Sequence, residues 1–215
     1  YSHVSMAFCR KLEEKLPEMT LENFDGVTEK IRSIKDEAEL AATKQAEHIG
    51  DLALEYILGE IRPGVSEKEI ALKLELKMRE LGASGLSFDT ICASGVRSSM
   101  PHAEPTDKLI EKGDFVTMDF GAVFKGYHSD ITRTVMVGRA NDEQRRLYDA
   151  VLDAQLHGLR EIRVGASGKS VDKKVRDVLS THGLEKYFTH GLGHGVGLEI
   201  HEEPRLSKLS KCEAL

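Results

Sequence analysis

The stretch FVTMDFGAVFKGYHSDITRTV, residues 115–135, decides the fold. It is rich in β-branched and aromatic residues, with Lys125-Gly126 near its centre, which is typical of two strands joined by a turn. Side chains of a strand alternate between its two faces. Asp119 therefore lies on the face opposite to Val116 and Met118, and the apolar face of the predicted hairpin can pack against a core.

Two turn positions fit this hairpin. A two-residue turn at 124–125 would place Asp119 directly opposite Asp130, whereas a turn at 125–126 would pair Asp119 with Thr132 and leave Asp130 one diagonal step away. Both registers bring the two carboxylates to one face. Like charges there repel each other unless a cation lies between them, so we expect a bound metal ion. The alternative is an ordinary solvated aspartate at a sheet edge.

A second segment, HGLGHGVGLEIH at residues 190–201, combines histidine with glycine. His190 and His194 have the spacing of a helical metal pair, but each glycine disfavours a helix by about 1 kcal/mol. We therefore predict an irregular turn or a bulged strand, followed after Gly197 by a strand that carries His201. Imidazole nitrogen together with carboxylate oxygen suits a divalent metal site that activates water.

A further histidine, His102, lies in PHAEPTDK at residues 101–108. This segment is a proline-bounded loop just before the strand that carries Asp119. A single loop histidine is usually solvated, so the loop by itself predicts no function.

The remaining chain predicts helices that cover the sheet. Capping boxes at Ser66 and Asn141 mark two helix starts. Apolar residues at three- and four-residue steps predict helices from Ser33 to the Pro63-Gly64 stop, from 66 to 82, from 141 to 162 and from 170 to 182, with several strands over 88–137. No internal repeat is expected. The predicted class is α+β, with helices over a largely antiparallel sheet.

Composition excludes several classes of function. The 215 residues carry a formal net charge of −6 without a basic stripe, so no nucleic-acid partner is expected. No apolar run approaches the roughly 20 residues of a membrane span, and no stretch resembles a signal peptide, so we expect a cytoplasmic protein without a membrane anchor. Cys9, Cys92 and Cys212 lack CxxC spacing, and reduced thiols are expected.

Three motifs, PHAEPTDK, MDFGAVFKGYHSDITRT and HGLGHGVGLEIHEEPRLS, resemble the pita-bread metallopeptidase family, which contains methionine aminopeptidases, aminopeptidase P and Xaa-Pro dipeptidases (prolidases). The similarity begins near Val27, and GLEIHEEP is closer to the proline-directed branch. The resemblance implies a pita-bread catalytic domain over residues 29–215, after a remnant of an upstream N-terminal domain and a linker in 1–28. It also implies that the C-terminal part of the fold is missing.

The resemblance also implies a site with two divalent metal ions, held by two aspartates, one histidine and two glutamates. By motif, the metal ligands in this chain are Asp119, Asp130 and His194. The two glutamates are expected beyond Leu215, so the chain alone is expected to be inactive. Mn(II) is the favoured metal, with Co(II) or Zn(II) as alternatives. The residues implied to contact substrate and stabilise the tetrahedral intermediate are His102 and His201, with His190 beside the substrate pocket.

The implied activity is release of the N-terminal residue from peptides with proline at the second position, through water activated by a dinuclear metal centre. The complete protein is expected to be a homodimer. The alternatives are a catalytically inactive pita-bread scaffold or binding module, and another aminopeptidase of the same fold. Metal-free, creatinase-like hydrolysis of a C–N bond is disfavoured because the aspartates and histidines of a metal site are present.

Overall fold

Residues 4–22, 24 and 26–215 are described by a computed structural model. The α-helices of this part are α1 (Met6–Lys15), α2 (Val27–Arg32), α3 (Glu37–Leu58), α4 (Glu67–Glu80), α5 (Asp142–Glu161) and α6 (Gly168–Thr181). The strands are β1 (Gly85–Leu86), β2 (Ile91–Ser94), β3 (Phe115–Phe120), β4 (Ala122–Phe124), β5 (Tyr127–His128), β6 (Ile131–Met136), β7 (Gly193–Gly195) and β8 (Glu202–Leu206). None of the helices in these residues has the length and apolar character of a membrane span.

Side-chain caps fix where the long helices begin. The two predicted capping boxes are present: Ser66 caps α4 and Asn141 caps α5. A further capping box at Asp36 starts α3. For that reason the helix expected from Ser33 begins at Glu37, since the carboxylate of Asp36 accepts the free backbone N–H of Glu39 in the first turn.

The hairpin adopts the second of the two expected registers. Asp119 pairs with Thr132, and β4 and β5 close around Lys125-Gly126, whose φ angles are +50° and +84°. Two-residue hairpin turns of this kind need positive φ at both positions, which glycine adopts without strain. At Gly121 a Cβ atom would lie 2.0 Å from the carbonyl oxygen of Ser129, so only glycine permits the return strand to approach this closely.

The three strands β2, β3 and β6 form an antiparallel sheet with β3 in the centre. The side chains of Val116, Met118 and Phe120 are fully buried on one face. Helices α3 and α4 supply the opposing layer, with Ile57 and Leu74 in the same core cluster. The other face of β3 is only partly buried and carries the polar residues. The predicted α+β class with helices over an antiparallel sheet is therefore observed.

The helix pairs α3–α4 and α5–α6 are joined by similar linkers, EIRPGVS at 60–66 and EIRVGAS at 161–167. In both linkers the glycine has a positive φ and the final serine caps the next helix. A lysine of the second helix donates to the linker glutamate in each pair, Lys73 to Glu60 and Lys174 to Glu161. The chain thus repeats one helix pair, and the expectation of no internal repeat is wrong.

Strands β7 and β8 carry the histidine–glycine segment. They pair antiparallel, with a register shift between His194 and Gly195, as expected for a bulged strand. The strand expected directly after Gly197 is wrong, because residues 198–201 are bends and β8 begins at Glu202. Backbone donors of this stretch turn toward its own groups instead, as in the hydrogen bond from Glu199 N to the Glu202 carboxylate (3.1 Å).

Ion pairs between side chains connect the segment before α3 to β8. Arg32 and Lys35 both donate to the buried carboxylate of Glu202, Lys35 at 2.8 Å. Residues 1–3, 23 and 25 of the predicted upstream remnant lie outside the described residues.

Candidate active site

The hairpin presents two carboxylates on its polar face. Asp119 lies in β3, and Asp130 immediately precedes β6. Thr132 donates a hydrogen bond from Oγ1 to Asp119 Oδ1 at 2.8 Å. Burial raises the pKa of Asp119 to about 6, the Thr132 hydrogen bond opposes this rise, and the neighbouring charge of Asp130 adds to it. The two carboxylates therefore concentrate negative charge on this partly buried face.

His194 in β7 faces this pair. Its Nε2 lies 3.3 Å from Asp130 Oδ2, and its Nδ1 lies 3.0 Å from the carbonyl oxygen of Gly195. A carbonyl oxygen can only accept, so Nδ1 carries a proton and Nε2 is the nitrogen left for Asp130 or a ligand. The hydrogen bond with Asp130 raises the pKa of His194, and burial opposes that shift.

His201 stacks on His194. The centroids of the two rings are 4.3 Å apart and the rings are tilted by 56°. Burial lowers the pKa of His201, and the charge of His194 lowers it further. His201 is therefore favoured in its neutral form, which keeps one N–H donor and one free lone pair.

His102 is a third histidine associated with this place. It is exposed on the loop between β2 and β3. Its charge lowers the pKa of both Asp119 and His201, so the loop brings this histidine into the electrostatic neighbourhood of the site.

His190 has different neighbours. Its ring packs edge-on against Phe188 with centroids 4.7 Å apart, and its Nδ1 lies 2.8 Å from the carbonyl oxygen of Gly191. These contacts hold His190 on the loop before β7. Among the described residues, His194 contacts Asp130 and His201, Asp130 neighbours Asp119, and His102 acts on Asp119 and His201 only through its charge. The structure describes no contact between His190 and these residues.

A model of the metallopeptidase family M24 matches residues 41–214. The chain belongs to this family. It is 49% identical over 184 residues to the uncharacterized peptidase YqhT of Bacillus subtilis, and 41% identical over 207 residues to a Xaa-Pro dipeptidase of Pyrococcus horikoshii. These alignments cover 86% and 96% of this chain, but only 52% and 59% of the relatives.

Solved M24 structures share the fold. A Xaa-Pro dipeptidase from Bacillus anthracis superposes with a TM-score of 0.96 at 44% identity, covering 99% of this chain and 59% of that one. The pita-bread fold and the family expected from the motifs are thereby confirmed. The chain spans little more than half the length of the relatives it matches.

An M24 metallopeptidase needs side chains that can hold divalent metal. In the part of the chain that the structure describes, no group of three or more His, Cys, Asp or Glu side chains converges closely enough to hold an ion. The donor chemistry nevertheless fits a cation. Asp119 and Asp130 repel each other, and a cation between them would relieve that repulsion. Nε2 of His194, 3.3 Å from Asp130 Oδ2, is a nitrogen donor beside the same carboxylates.

Two residues near the site were not predicted from the sequence. Glu47 on α3 accepts a hydrogen bond from Asp130 N at 3.4 Å, and burial together with the charge of Asp130 raises the pKa of Glu47. Arg205 pairs with His194 across β7 and β8. Arg205 lies in the quoted motif HEEPRLS and could have been found there, whereas Glu47 has no local signal because α3 is distant in sequence.

Proposed function

We propose that the protein is a metal-dependent peptidase that releases the N-terminal residue from Xaa-Pro peptides, as a Xaa-Pro dipeptidase or a Xaa-Pro aminopeptidase. The observation that carries this proposal is the meeting of the hairpin aspartates with His194, which stacks on His201. Membership of the M24 family and relatives named Xaa-Pro dipeptidase support the same substrate class.

The residues with roles toward metal are Asp119, Asp130 and His194. Two divalent ions, Mn(II) first among the candidates, would supply the Lewis acidity that lowers the pKa of water and polarises a carbonyl. The chain's own part is to orient the donors. Thr132 fixes the carboxylate of Asp119, and the Gly195 carbonyl fixes the imidazole of His194 so that Nε2 faces the carboxylates.

His201 and His102 have roles toward the substrate. The neutral ring of His201 can donate one N–H where negative charge develops on the scissile carbonyl oxygen, and His102 can do the same from the loop between β2 and β3. Removal of one such donor typically lowers kcat by about 100- to 1000-fold. His190 is proposed to border the substrate pocket without contacting the scissile bond.

The wider assignments belong to the same proposal. Residues 29–215 form part of the catalytic domain, and residues 1–28 join it to an upstream domain. The complete protein works as a homodimer in the cytoplasm. Sedimentation of the full-length protein and its fractionation from cells test the last two points.

The deciding experiment uses the full-length protein, stripped of metal and then loaded with Mn(II). We expect cleavage of an Xaa-Pro dipeptide or of a longer peptide with proline at the second position, and no cleavage of a matched Xaa-Ala peptide. Asp119→Asn and Asp130→Asn should each lose metal, measured by elemental analysis, together with activity.

Asp177→Asn is the matched control, because Asp177 is an exposed helix residue that pairs with Lys173 and has no proposed role in the site. Cleavage of Xaa-Ala peptides in preference to Xaa-Pro peptides would contradict the proposal. The absence of a converging metal cluster in the described residues favours one second candidate, a scaffold without catalysis. Full-length protein that binds no divalent ion at neutral pH would support that candidate.

A further inference from the structure

We propose that Glu67 is a positioning residue that fixes the loop carrying His102. The proposal rests on the proposed function, because it matters for the reaction only if His102 contacts substrate. Glu67 lies outside the metal site, as the first residue of α4, and its side chain is fully buried at 0% exposure.

Both carboxylate oxygens of Glu67 accept hydrogen bonds from residues of the loop and from Ser94 at its start. Oε1 accepts from Ser94 N at 2.7 Å and from Ser94 Oγ at 2.9 Å. Oε2 accepts from Thr106 N at 3.0 Å, from Thr106 Oγ1 at 2.7 Å and from Arg97 Nε at 3.2 Å. A single buried carboxylate thus receives five hydrogen bonds.

These donors stand at the two ends of the loop. Ser94 is the last residue of β2, and Thr106 follows His102 on the way to β3. Arg97 extends the tie into the loop, since its Nη2 donates to the carbonyl oxygen of Glu104 at 2.7 Å. Glu67 therefore closes the base of the loop while leaving His102 exposed at its outer part, where it can reach the hairpin carboxylates.

The second helix pair has no carboxylate at the corresponding place. Gly168 occupies the equivalent first position of α6, after the same capping serine. Burial raises the pKa of Glu67, yet the hydrogen bonds from Thr106 and Ser94 outweigh burial and hold the pKa below its ordinary value. The buried charge of Glu67 is thus stabilised by the donors of the loop. Helix α6 has no corresponding charge.

The first measurement is hydrogen exchange of the backbone amides in full-length wild-type protein and in Glu67→Gln. The amide keeps the size of the side chain, removes its charge and turns an NH2 group toward donors. We expect faster exchange at 94–106, above all at Ser94 and Thr106, and unchanged exchange in β3 and β6. Unchanged exchange at 94–106 would overturn the proposal.

The second measurement is a double-mutant cycle on Xaa-Pro cleavage. Glu67→Gln should lower kcat/KM roughly 10- to 100-fold with full metal content, because a displaced group far from the chemistry can cost about that much. In a His102→Ala background the same change should have no further effect. An equal loss in both backgrounds would show that Glu67 acts through general stability and would sink the proposal.

Two further variants keep the test decisive. Ile57→Val removes a methyl group from the core without touching the loop, so it controls for lost stability and should leave kcat/KM unchanged. Thr106→Val removes one donor and replaces Glu67→Gln if that variant does not fold. Wild-type protein that leaves Xaa-Pro peptides uncut contradicts the proposed function, and the exchange data still decide whether Glu67 anchors the loop.

Discussion

The helix pairs α3–α4 and α5–α6 have similar linkers, and their first helices bury a stripe of residues at corresponding positions. The two pairs differ in what covers the outer face of the first helix. In α3 the stripe includes Ala53 and Ile57, and in α5 it includes Ala154 and Gly158. A Cβ atom at Gly158 would lie 2.9 Å from Val175, so α5 and α6 pack closely through small residues. In both pairs, the two helices therefore pack against each other through this stripe.

The outward face of each first helix shows the difference. On α3, Ala46 and Gly50 are buried, and a Cβ atom at Gly50 would lie 2.4 Å from Ile131 of β6. The corresponding residues of α5, Leu147 and Val151, are 39% and 52% exposed. Large apolar side chains thus occupy the uncovered face, while small ones meet the sheet.

This contrast indicates where the stability of the chain resides. The cluster under the first pair contains most of the buried apolar residues, and the cluster under the second pair consists of Ala154, Val175 and Leu179 with a few partly buried neighbours. The chain thus has two halves, one built on α3–α4 and one built on α5–α6. The candidate site lies between these halves, because the aspartates come from the hairpin under the first pair and His194 comes from β7 beside the second. Changes in one half can therefore be compared directly with equivalent changes in the other.

The largest expected contrast is between truncations of the two helices. Ile57→Ala should lower the free energy of unfolding by about 3 kcal/mol, because it opens a cavity in a packed core. Val151→Ala should change it by less than about 0.5 kcal/mol, because the side chain is half exposed. Urea denaturation of this chain measures both, and equal losses would mean that the α5 face is covered after all.

The next contrast concerns the tie between the halves. Glu202→Gln should lower the free energy of unfolding by about 2 kcal/mol at pH 7, since it removes the buried carboxylate that Arg32 and Lys35 share and leaves Arg32 with Glu199 alone. Glu203→Gln is the matched control, because that neighbouring side chain is exposed, and it should have little effect.

The effect of Glu202 should depend on pH. Burial raises the pKa of Glu202, but the hydrogen bonds from Lys35 and Arg32 outweigh burial and hold it below the ordinary value of 4.5. A lowered folded-state pKa means that the stabilisation is complete above pH 4.5 and disappears as the pH falls through the folded-state pKa. A difference between wild type and Glu202→Gln that grows on acidification would contradict this assignment.

The smallest expected effect is at the repeated ion pair. Lys73→Met and Lys174→Met each remove one linker ion pair, Lys73–Glu60 or Lys174–Glu161, and both lysine side chains are substantially exposed. Exposed pairs contribute little, so neither variant should shift Tm measurably. A shift in one variant alone would break the equivalence of the two linkers.

The sequence predicted the elements whose causes are local. Caps such as Ser66 and Asn141 set helix starts because a side chain accepts from backbone only three residues away. Alternation placed Asp119 and Asp130 on one face, and the structure then selected the turn at Lys125-Gly126 between the two open registers. The proximity of His194 to Asp130 agrees with the motifs, and the roles of Asp119, Asp130 and His194 toward metal stay predictions.

Features that depend on distant partners could not be predicted. Nothing near Glu67 in sequence indicates Thr106, and nothing near Glu202 indicates Arg32 or Lys35. The strand expected from Leu198 failed because those backbone groups bond within their own bend rather than to a neighbouring strand. The roles of His102, His190 and His201 toward substrate stay predictions, and only a reaction tests them.

The two-residue turn at Lys125-Gly126 imposes a parity rule on the hairpin. One residue added to β4, with the same turn, would pair Asp119 with Arg133 instead of Thr132 and send the two carboxylates to opposite sides of the sheet. Two added residues would return them to the same side. Any engineered lengthening of these arms that aims to keep the acidic pair together must therefore proceed in even steps.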